Sequence, residues 1–273
     1  MGGQIWQFAA FKLALLTPLH AGSWRAGMVA QTHRFVPGHL FSYAMAAFFG
    51  GQWGGRPADY ECALQAVLSN TRFAPAFLAD DQGLLYPVRN RAVIEQSYIR
   101  GNNHVTLQPD TRAAQESALF EVEYLTATAV DGVRQNQATE LCGGVWFCDD
   151  GLAGVPWQNC FGHLILGGEG KMGYGRVRLI GWDETADSFH GIGRTSGHGL
   201  QMAAGERLPG PALSGVGQMP KQPWLGRLYD KQQGFGRRLG LAALVTMDGT
   251  CGQQDTIFLP HADEVGLGCW TSQ

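Results

Sequence analysis

Charged side chains are scarce in this sequence: Asp, Glu, Lys and Arg make up 16% of its 273 residues, against about 25% in an ordinary soluble domain. The formal net charge is −3, and 45% of the residues are hydrophobic. This composition excludes an intrinsically disordered chain, because disorder requires low hydrophobicity together with high net charge. It also supplies enough apolar material for a well-buried core.

Acidic residues are missing from the first part of the chain, where the first carboxylate belongs to Asp59. Basic residues and histidines do precede it: Lys12, Arg25, Arg34, Arg56, His20, His33 and His39. A nearly neutral protein can bind nucleic acid if its basic residues share one face. The same gap would arise by chance in a segment that is simply apolar, so both interpretations stay open at this point.

A disulfide framework and a membrane span are also lacking. The six cysteines are scattered, and a chain of this length does not need disulfide bridges to fold. The apolar run at residues 8–16 is interrupted by Lys12, is too short to cross a bilayer and is followed by no small-residue cleavage site. We therefore expect a cytoplasmic protein with reduced thiols and no membrane contact.

Zinc is an alternative that the cysteines leave open. Cys142, Cys148, Cys160 and His163 have the spacing C-x5-C-x11-C-x2-H, whereas structural zinc sites use closer ligand pairs. Cys142 and Cys148 also lie at the two ends of an apolar strand, where cysteine acts as a small hydrophobe. We expect no metal and no other cofactor.

The periodicity predicts an α+β fold. Residues 5–16 form a buried strand, and Pro37-Gly38 opens a helix over residues 39–49 that Gly50-Gly51 ends. A second helix is predicted over residues 59–69. Further strands are predicted at residues 71–78, 84–88, 119–128, 144–147, 164–166, 176–180, 239–247 and 256–259, with a helix or loop at 156–163. The order indicates a single RRM-like, ferredoxin-type domain over residues 1–273 with large insertions, residues 184–222 being a long loop or insertion.

Glycine, by contrast, is abundant, with 39 residues, and it clusters at residues 167–175. Gly168, Gly170 and Gly173 match G-x-G-x-x-G, but the residues that follow alternate as a strand does, whereas a dinucleotide site needs a helix there. The Walker pattern fails too, because Met172 follows Lys171. A small-molecule enzyme with a nucleotide loop is thereby disfavoured.

The same loop is suited to RNA. Its glycines allow close approach to phosphates, Lys171 and Arg176 supply positive charge, and Tyr174 could stack on a base. The plainer alternative is a glycine-rich hairpin that only packs, in a structural protein without RNA contact.

Four blocks of the sequence resemble a known family in the family's order. They are Leu-Thr-Pro-Leu-His-Ala-Gly-Ser at residues 16–23, Phe-Val-Pro-Gly at 35–38, residues 103–120, and the glycine-rich loop with its following strand at 167–177. They resemble the RAMP superfamily, the repeat-associated RNA-binding proteins of CRISPR systems, and residues 227–236 resemble it more loosely. The resemblance implies an RRM-like fold that binds CRISPR RNA (crRNA) in a type III effector complex.

Three roles exist in that family, and the resemblance favours one. Backbone subunits cut target RNA with an aspartate in the loop before the first helix, processing subunits cleave precursor RNA with a histidine, and cap subunits hold the 5′ handle of the guide. Residues 24–34 contain no carboxylate, and residues 72–87 resemble the cap group. We therefore expect a non-catalytic cap subunit; the alternatives are a backbone subunit or a processing endoribonuclease that uses His33 or His39.

The implied partners are crRNA, backbone RAMP subunits and a large subunit, with target RNA contacted indirectly. The predicted RNA-binding residues are His20, Ser23, Arg25, Arg34, Gly38, His39, Arg100, Asn103, His104, Gly168, Gly170, Lys171, Gly173, Tyr174 and Arg176.

Overall fold

The structure is a computed structural model that describes residues 5–81, 83–132, 134–195, 198–213, 221–247, 249–253, 255–260 and 269–272. Its helices are α1 (Gly38–Trp53), α2 (Pro57–Asn70), α3 (Pro87–Tyr98) and α4 (Trp157–Cys160). Its strands are β1 (Gln7–Leu15), β2 (Gly22–Ala26), β3 (Val29–Thr32), β4 (Thr71–Phe73), β5 (Phe77–Asp80), β6 (Gly83–Leu85), β7 (Ile99–Leu107), β8 (Ala114–Leu125), β9 (Glu140–Phe147), β10 (Gly151–Leu152), β11 (Val155–Pro156), β12 (Val177–Asp183), β13 (Ser188–Phe189), β14 (Ile192–Arg194), β15 (Leu200–Met202), β16 (Lys221–Asp230), β17 (Gly234–Thr246), β18 (Thr256–Pro260) and β19 (Trp270–Ser272).

The central sheet has the strand order β12-β1-β9-β5-β6, with β4 also paired to β9, and every pair in it is antiparallel. Helices α1 and α2 connect β1 to β4 and β5, and the short α4 lies between β9 and β12. This is the ferredoxin-like arrangement with insertions, so the predicted fold class is confirmed.

Both faces of this sheet are covered. Along β1, Ala9, Phe11 and Leu13 belong to the core beneath the helices, whereas Phe8 and Ala10 contribute to a second core with Trp146. Side chains alternate between the two faces of a strand, which explains this division. The second core is closed by the five-stranded sheet β13-β14-β15-β18-β19.

Two further β units extend from this body. A four-stranded sheet has the order β2-β3-β8-β7, in which β7 and β8 form a long antiparallel hairpin, here called the arm. Strands β16 and β17 form a second hairpin. Among the described residues, no helix is long and apolar enough to cross a membrane.

Several element boundaries differ from the sequence prediction. Helix α1 continues through Gly50 and Gly51 instead of ending there, because Tyr60 of α2 packs directly on Gly50: an added Cβ would lie 2.3 Å from Tyr60 Cδ1. The predicted strand at residues 164–166 is wrong. Only Ile165 forms a bridge, to Arg176, and β12 occupies the sheet edge.

Other differences concern segments with weak patterns. Helix α3 and strands β7 and β16 were not predicted, and the predicted strand at 71–78 is split into β4 and β5. The segment 184–222 is not a plain loop, since it contributes β13, β14 and β15 and the start of β16. Residues 196–197 and 214–220 of that segment lie outside the described residues.

Candidate nucleic-acid interface

The glycine-rich loop, residues 167–175, lies against the segment that leaves β1. Gly168 N donates to His20 O at 2.8 Å, and Gly175 N donates to Pro18 O at 2.7 Å. Gly167 and Gly175 have φ of +74° and +83°, and an added Cβ would come within 2.3 Å of His20 O and 2.0 Å of Leu166 O respectively. Glycine is required at both positions for this close approach.

No helix follows this loop. A short 3-10 turn, Gly170–Met172, is followed by Gly173 in the left-handed region and then by β12. The predicted strand after the glycines is therefore confirmed, and the helix N-terminus that holds the pyrophosphate in a dinucleotide-binding motif is not formed at Gly173.

A cavity of about 530 Å³, here called the loop groove, lies between the loop and α1. His20, Gly168, Gly170 and Lys171 line one side of it, so four of the predicted residues come together here. Arg227 also lines the groove.

Arg227 is a half-buried cation that the prediction missed. Its Nη1 donates to Gly236 O at 3.2 Å and its Nη2 to Ser23 O at 3.3 Å. No carboxylate of the described residues forms an ion pair with it. Burial lowers the pKa of this guanidinium, but arginine stays protonated in proteins. The only signal in the sequence was its place in the loosely similar residues 227–236.

Lys171 is likewise without a carboxylate partner among the described residues, and it is exposed at the groove. Arg227 and the carboxylate of Glu169 also line the groove, so its two cations and one carboxylate leave a net positive charge. Since such charge attracts phosphates, the groove is suited to an anionic chain. Arg176 is exposed just beyond the loop, where its backbone N–H donates to Thr17 Oγ1 at 3.0 Å.

Tyr174 connects the loop to the arm. Its side chain is only 8% exposed, its hydroxyl accepts a hydrogen bond from Asn102 Nδ2 at 3.0 Å, and its ring meets Tyr124 edge-on at 5.6 Å. Tyr124 in turn donates to Asn102 Oδ1 at 3.3 Å. Through these contacts Tyr174 connects the glycine-rich loop to the arm.

Three other predicted residues lie on the arm and do not line the groove. Arg100 donates to Ile99 O at 2.6 Å and to Gln96 O at 3.0 Å. Asn103 is exposed, and the His104 ring stacks on Phe120 at 5.3 Å.

A second cavity of about 450 Å³, here called the aromatic pocket, contains Ser23 and Arg34 in its lining. Arg34 forms ion pairs with Glu123 at 2.9 Å and Glu95 at 3.3 Å, so its charge is compensated within the protein. Arg25 is exposed on the β2–β3 hairpin, where its Nε donates to Gly27 O at 3.3 Å.

The start of α1 serves packing. A Cβ at Gly38 would lie 2.3 Å from Phe73 O, so the helix approaches β4 through this glycine. His39 is 8% exposed and its ring meets Tyr43 edge-on.

The histidines near these cavities are neutral at physiological pH. Burial, and then the positive potential of groups that include His39 and Arg227, lower the pKa of His33 to about 3. Burial also lowers the pKa of His20, whose Nδ1 lies 2.6 Å from Glu123 O. These rings therefore serve as hydrogen-bonding groups and apolar surface at neutral pH.

The possible zinc ligands do not meet. In the part of the chain that is described, no group of three or more His, Cys, Asp or Glu side chains is arranged to hold a metal ion. Cys142 lies near the start of β9 and Cys148 directly follows its end. Burial raises the pKa of the Cys160 thiol to about 12, and the His163 ring stacks on Phe48.

No family model matches the sequence, and no curated protein is similar to it. Three solved structures that resemble the fold are chains of a type III-B Cmr-beta complex. One, from the complex bound to cognate target RNA, has 13% identity and a TM-score of 0.45 over 64% of this chain and 96% of that chain. A second, from the complex bound to cognate target RNA and AMPPnP, has 12% identity and a TM-score of 0.48 over 97% of this chain and 99% of that chain. The third, from the apo state, has 10% identity and a TM-score of 0.39 over 64% of this chain and 97% of that chain.

Proposed function

We propose that this protein is a non-catalytic, crRNA-binding subunit of a type III CRISPR effector ribonucleoprotein, and that it holds the 5′ handle of the guide. The observation that carries the proposal is the loop groove. Two of the sequence blocks that resemble RAMP proteins, residues 16–23 and 167–177, contact each other there and form one of its walls. Lys171 and Arg227, against the single carboxylate of Glu169, give the same groove a net positive charge, which favours binding of a phosphate chain.

The sheet face that binds RNA in an RRM is covered in this protein, which favours a binding site at the groove. RRM aromatic residues stack bases on the open sheet face, whereas Phe8 and Trp146 on this face are buried in the second core. We infer that an RNA chain binds beside the sheet, where the loop groove offers glycine backbone for close approach and a net positive charge.

A catalytic role is disfavoured by the state of the histidines. A general base works best when its pKa lies near the working pH, and the pKa of His33 is lowered to about 3. His39, the other candidate, is 8% exposed and packs against Tyr43. Neither is well disposed to take a proton from an RNA hydroxyl.

The first experiment is to purify the protein from cells that express a CRISPR locus and to sequence the bound RNA. The proposal expects RNA of uniform length with a repeat-derived 5′ end. Random fragments, or no RNA, would contradict it.

The second experiment measures the affinity for that RNA as a function of salt. Each phosphate contact contributes about 0.7 to the slope of log K against log salt for single strands. Lys171→Ala combined with Arg176→Ala should therefore lower the slope by about 1.4. Lys231→Ala is the matched control, because Lys231 pairs with Glu61 at 2.7 Å and does not line the groove, so its loss should leave the slope unchanged. Equal slopes in all three proteins would exclude the loop groove as the phosphate site.

A further inference from the structure

The aromatic pocket differs in chemistry from the loop groove. Its lining includes His33 and Trp224, whose rings lie 4.6 Å apart, and Phe35, which stacks on Trp224 at 5.9 Å with planes 12° apart. Trp24 also lines the pocket and is 55% exposed, the one aromatic among the exposed large apolar side chains of the described residues. An indole in that position presents a free π-face, on which a flat ring can stack.

The charges at this pocket are balanced. Arg34 pairs with Glu123 and Glu95, and Arg91 pairs with Glu95 at 2.9 Å. Two guanidinium groups thus face two carboxylates, and His33 beside them is neutral. A phosphate gains little binding free energy at a site whose cations are already paired. A neutral aromatic group meets no charge repulsion there.

Two amide side chains supply the polar contacts. Gln31 and Gln222 line the pocket, and neither makes a hydrogen bond to another described residue through its side chain. An amide offers both a donor and an acceptor, which is what the edge of a nucleobase requires.

The pocket adjoins the groove. Gly22 lines the loop groove and the next residue, Ser23, lines the pocket. Arg227, which lines the groove, donates to Ser23 O at 3.3 Å across this boundary. One RNA chain can therefore place a phosphate in the loop groove and the neighbouring base in the aromatic pocket.

We propose that the aromatic pocket binds a single nucleobase of the RNA, turned out of the base stack and stacked on Trp24, while the neighbouring phosphates lie in the loop groove. The proposal rests on the proposed RNA-binding function. It adds a site of one-base readout in which Gln31 and Gln222 contact the base edge. The continuity with the groove and the free amides favour a base over a side chain from a neighbouring protein.

The test uses the full chain and the single-stranded RNA that co-purifies with it, remade synthetically with one abasic nucleotide at each position in turn. An abasic nucleotide keeps the phosphate and removes the base. With the wild-type protein, one position should lose about tenfold in affinity, the order expected for one base–aromatic stack. Trp24→Ala should lower the affinity for intact RNA about as much and make that position insensitive, while Trp24→Phe restores most of the effect.

Met28→Ala is the matched control, since Met28 is 59% exposed on the same hairpin, and it should bind as wild type does. The salt slope should be unchanged in Trp24→Ala, because no phosphate contact is lost. If RNA binds with the expected salt slope but no abasic position depends on Trp24, this proposal is overturned and the RNA-binding function stands. If Trp24→Ala instead releases a co-purifying protein and leaves RNA affinity intact, the occupant is a protein side chain and the proposal is wrong. Failure to bind any RNA would overturn both proposals.

Discussion

Two glycines of the loop, two residues apart, allow a paired test of how the loop is held. Gly173 and Gly175 both have φ in the left-handed region, at +87° and +83°. An added Cβ at Gly173 would meet nothing within 4 Å, whereas at Gly175 it would lie 2.0 Å from Leu166 O and 3.0 Å from Leu166 N. The two alanine variants therefore share the backbone strain and differ in the collision.

The expected losses of stability follow from the backbone strain and from the collision. An L-residue in the left-handed region costs about 1–2 kcal/mol, which is the whole expected effect of Gly173→Ala. Gly175→Ala adds an overpacking cost of about 1–3 kcal/mol, because Leu166 backbone atoms cannot move aside as a flexible side chain would. We expect a loss of about 2–5 kcal/mol in the free energy of unfolding, with a melting temperature lower by about 2–4 °C per kcal/mol.

RNA affinity should distinguish the two variants more clearly than stability does. Gly175 carries the hydrogen bonds to Leu166 N and Pro18 O, so displacing it moves the loop away from the groove, and RNA affinity should fall. Gly173 was predicted to contact RNA but does not line the loop groove, so Gly173→Ala should bind RNA as wild type does. Thermal denaturation and RNA titration of both variants provide the measurement. Equal losses of stability and of affinity in the two proteins would refute the reasoning.

Three further outcomes are expected. In α1, Gly51→Ala should stabilise the protein by up to about 1 kcal/mol through helix propensity, while Gly50→Ala should destabilise it because its Cβ would collide with Tyr60. Urea unfolding measures both changes in the free energy of unfolding, and changes of the same sign would contradict the packing of Tyr60 on Gly50. Because the folded pKa of His33 is about 3 against about 6.5 unfolded, its contribution to stability is complete above pH ~6.5 and is lost as pH falls towards 3, by at most about 1.4 kcal/mol per pH unit. His33→Gln should flatten this dependence, and an unaltered slope between about pH 7 and 5 would count against it. Finally, the purified protein should not cleave repeat RNA with or without added metal; cleavage that disappears in His33→Ala or His39→Ala while binding persists would identify a processing nuclease.

The sequence predicted those elements whose patterns are local and strong. The strand β1 and the helix α2 were predicted from their patterns, although α2 begins at Pro57, two residues before the predicted start. The helix α1 was predicted too short because the glycine pair reads as a stop signal, and only the tertiary contact with Tyr60 explains why it is not one. Helix α3 was missed because its sequence has few apolar residues in a helical repeat.

Only those parts of the candidate site that are short, continuous stretches of sequence were predictable. The glycine-rich loop and the segment around His20 are separate in sequence, but each carries its own pattern. Arg227 has no such pattern, and its importance comes from its place in the groove without an ion-pair partner among the described residues, a property of three-dimensional placement. Conversely, the sequence analysis predicted Arg34 to bind phosphate. Its pairing with Glu123 of β8 and Glu95 of α3 arises only in the fold.

The double-sided central sheet has a consequence for synthesis on the ribosome. Phe8 and Trp146 share a core with Trp270, which meets Trp146 edge-on at 5.8 Å. The helical face of the sheet can be closed as soon as β12 has emerged, whereas the opposite face stays uncovered until the last strands are made. Since exposed apolar sheet surface is prone to aggregate, the nascent chain passes through a period in which one face of its central sheet needs protection, and a chaperone or an early-binding partner would act during that interval.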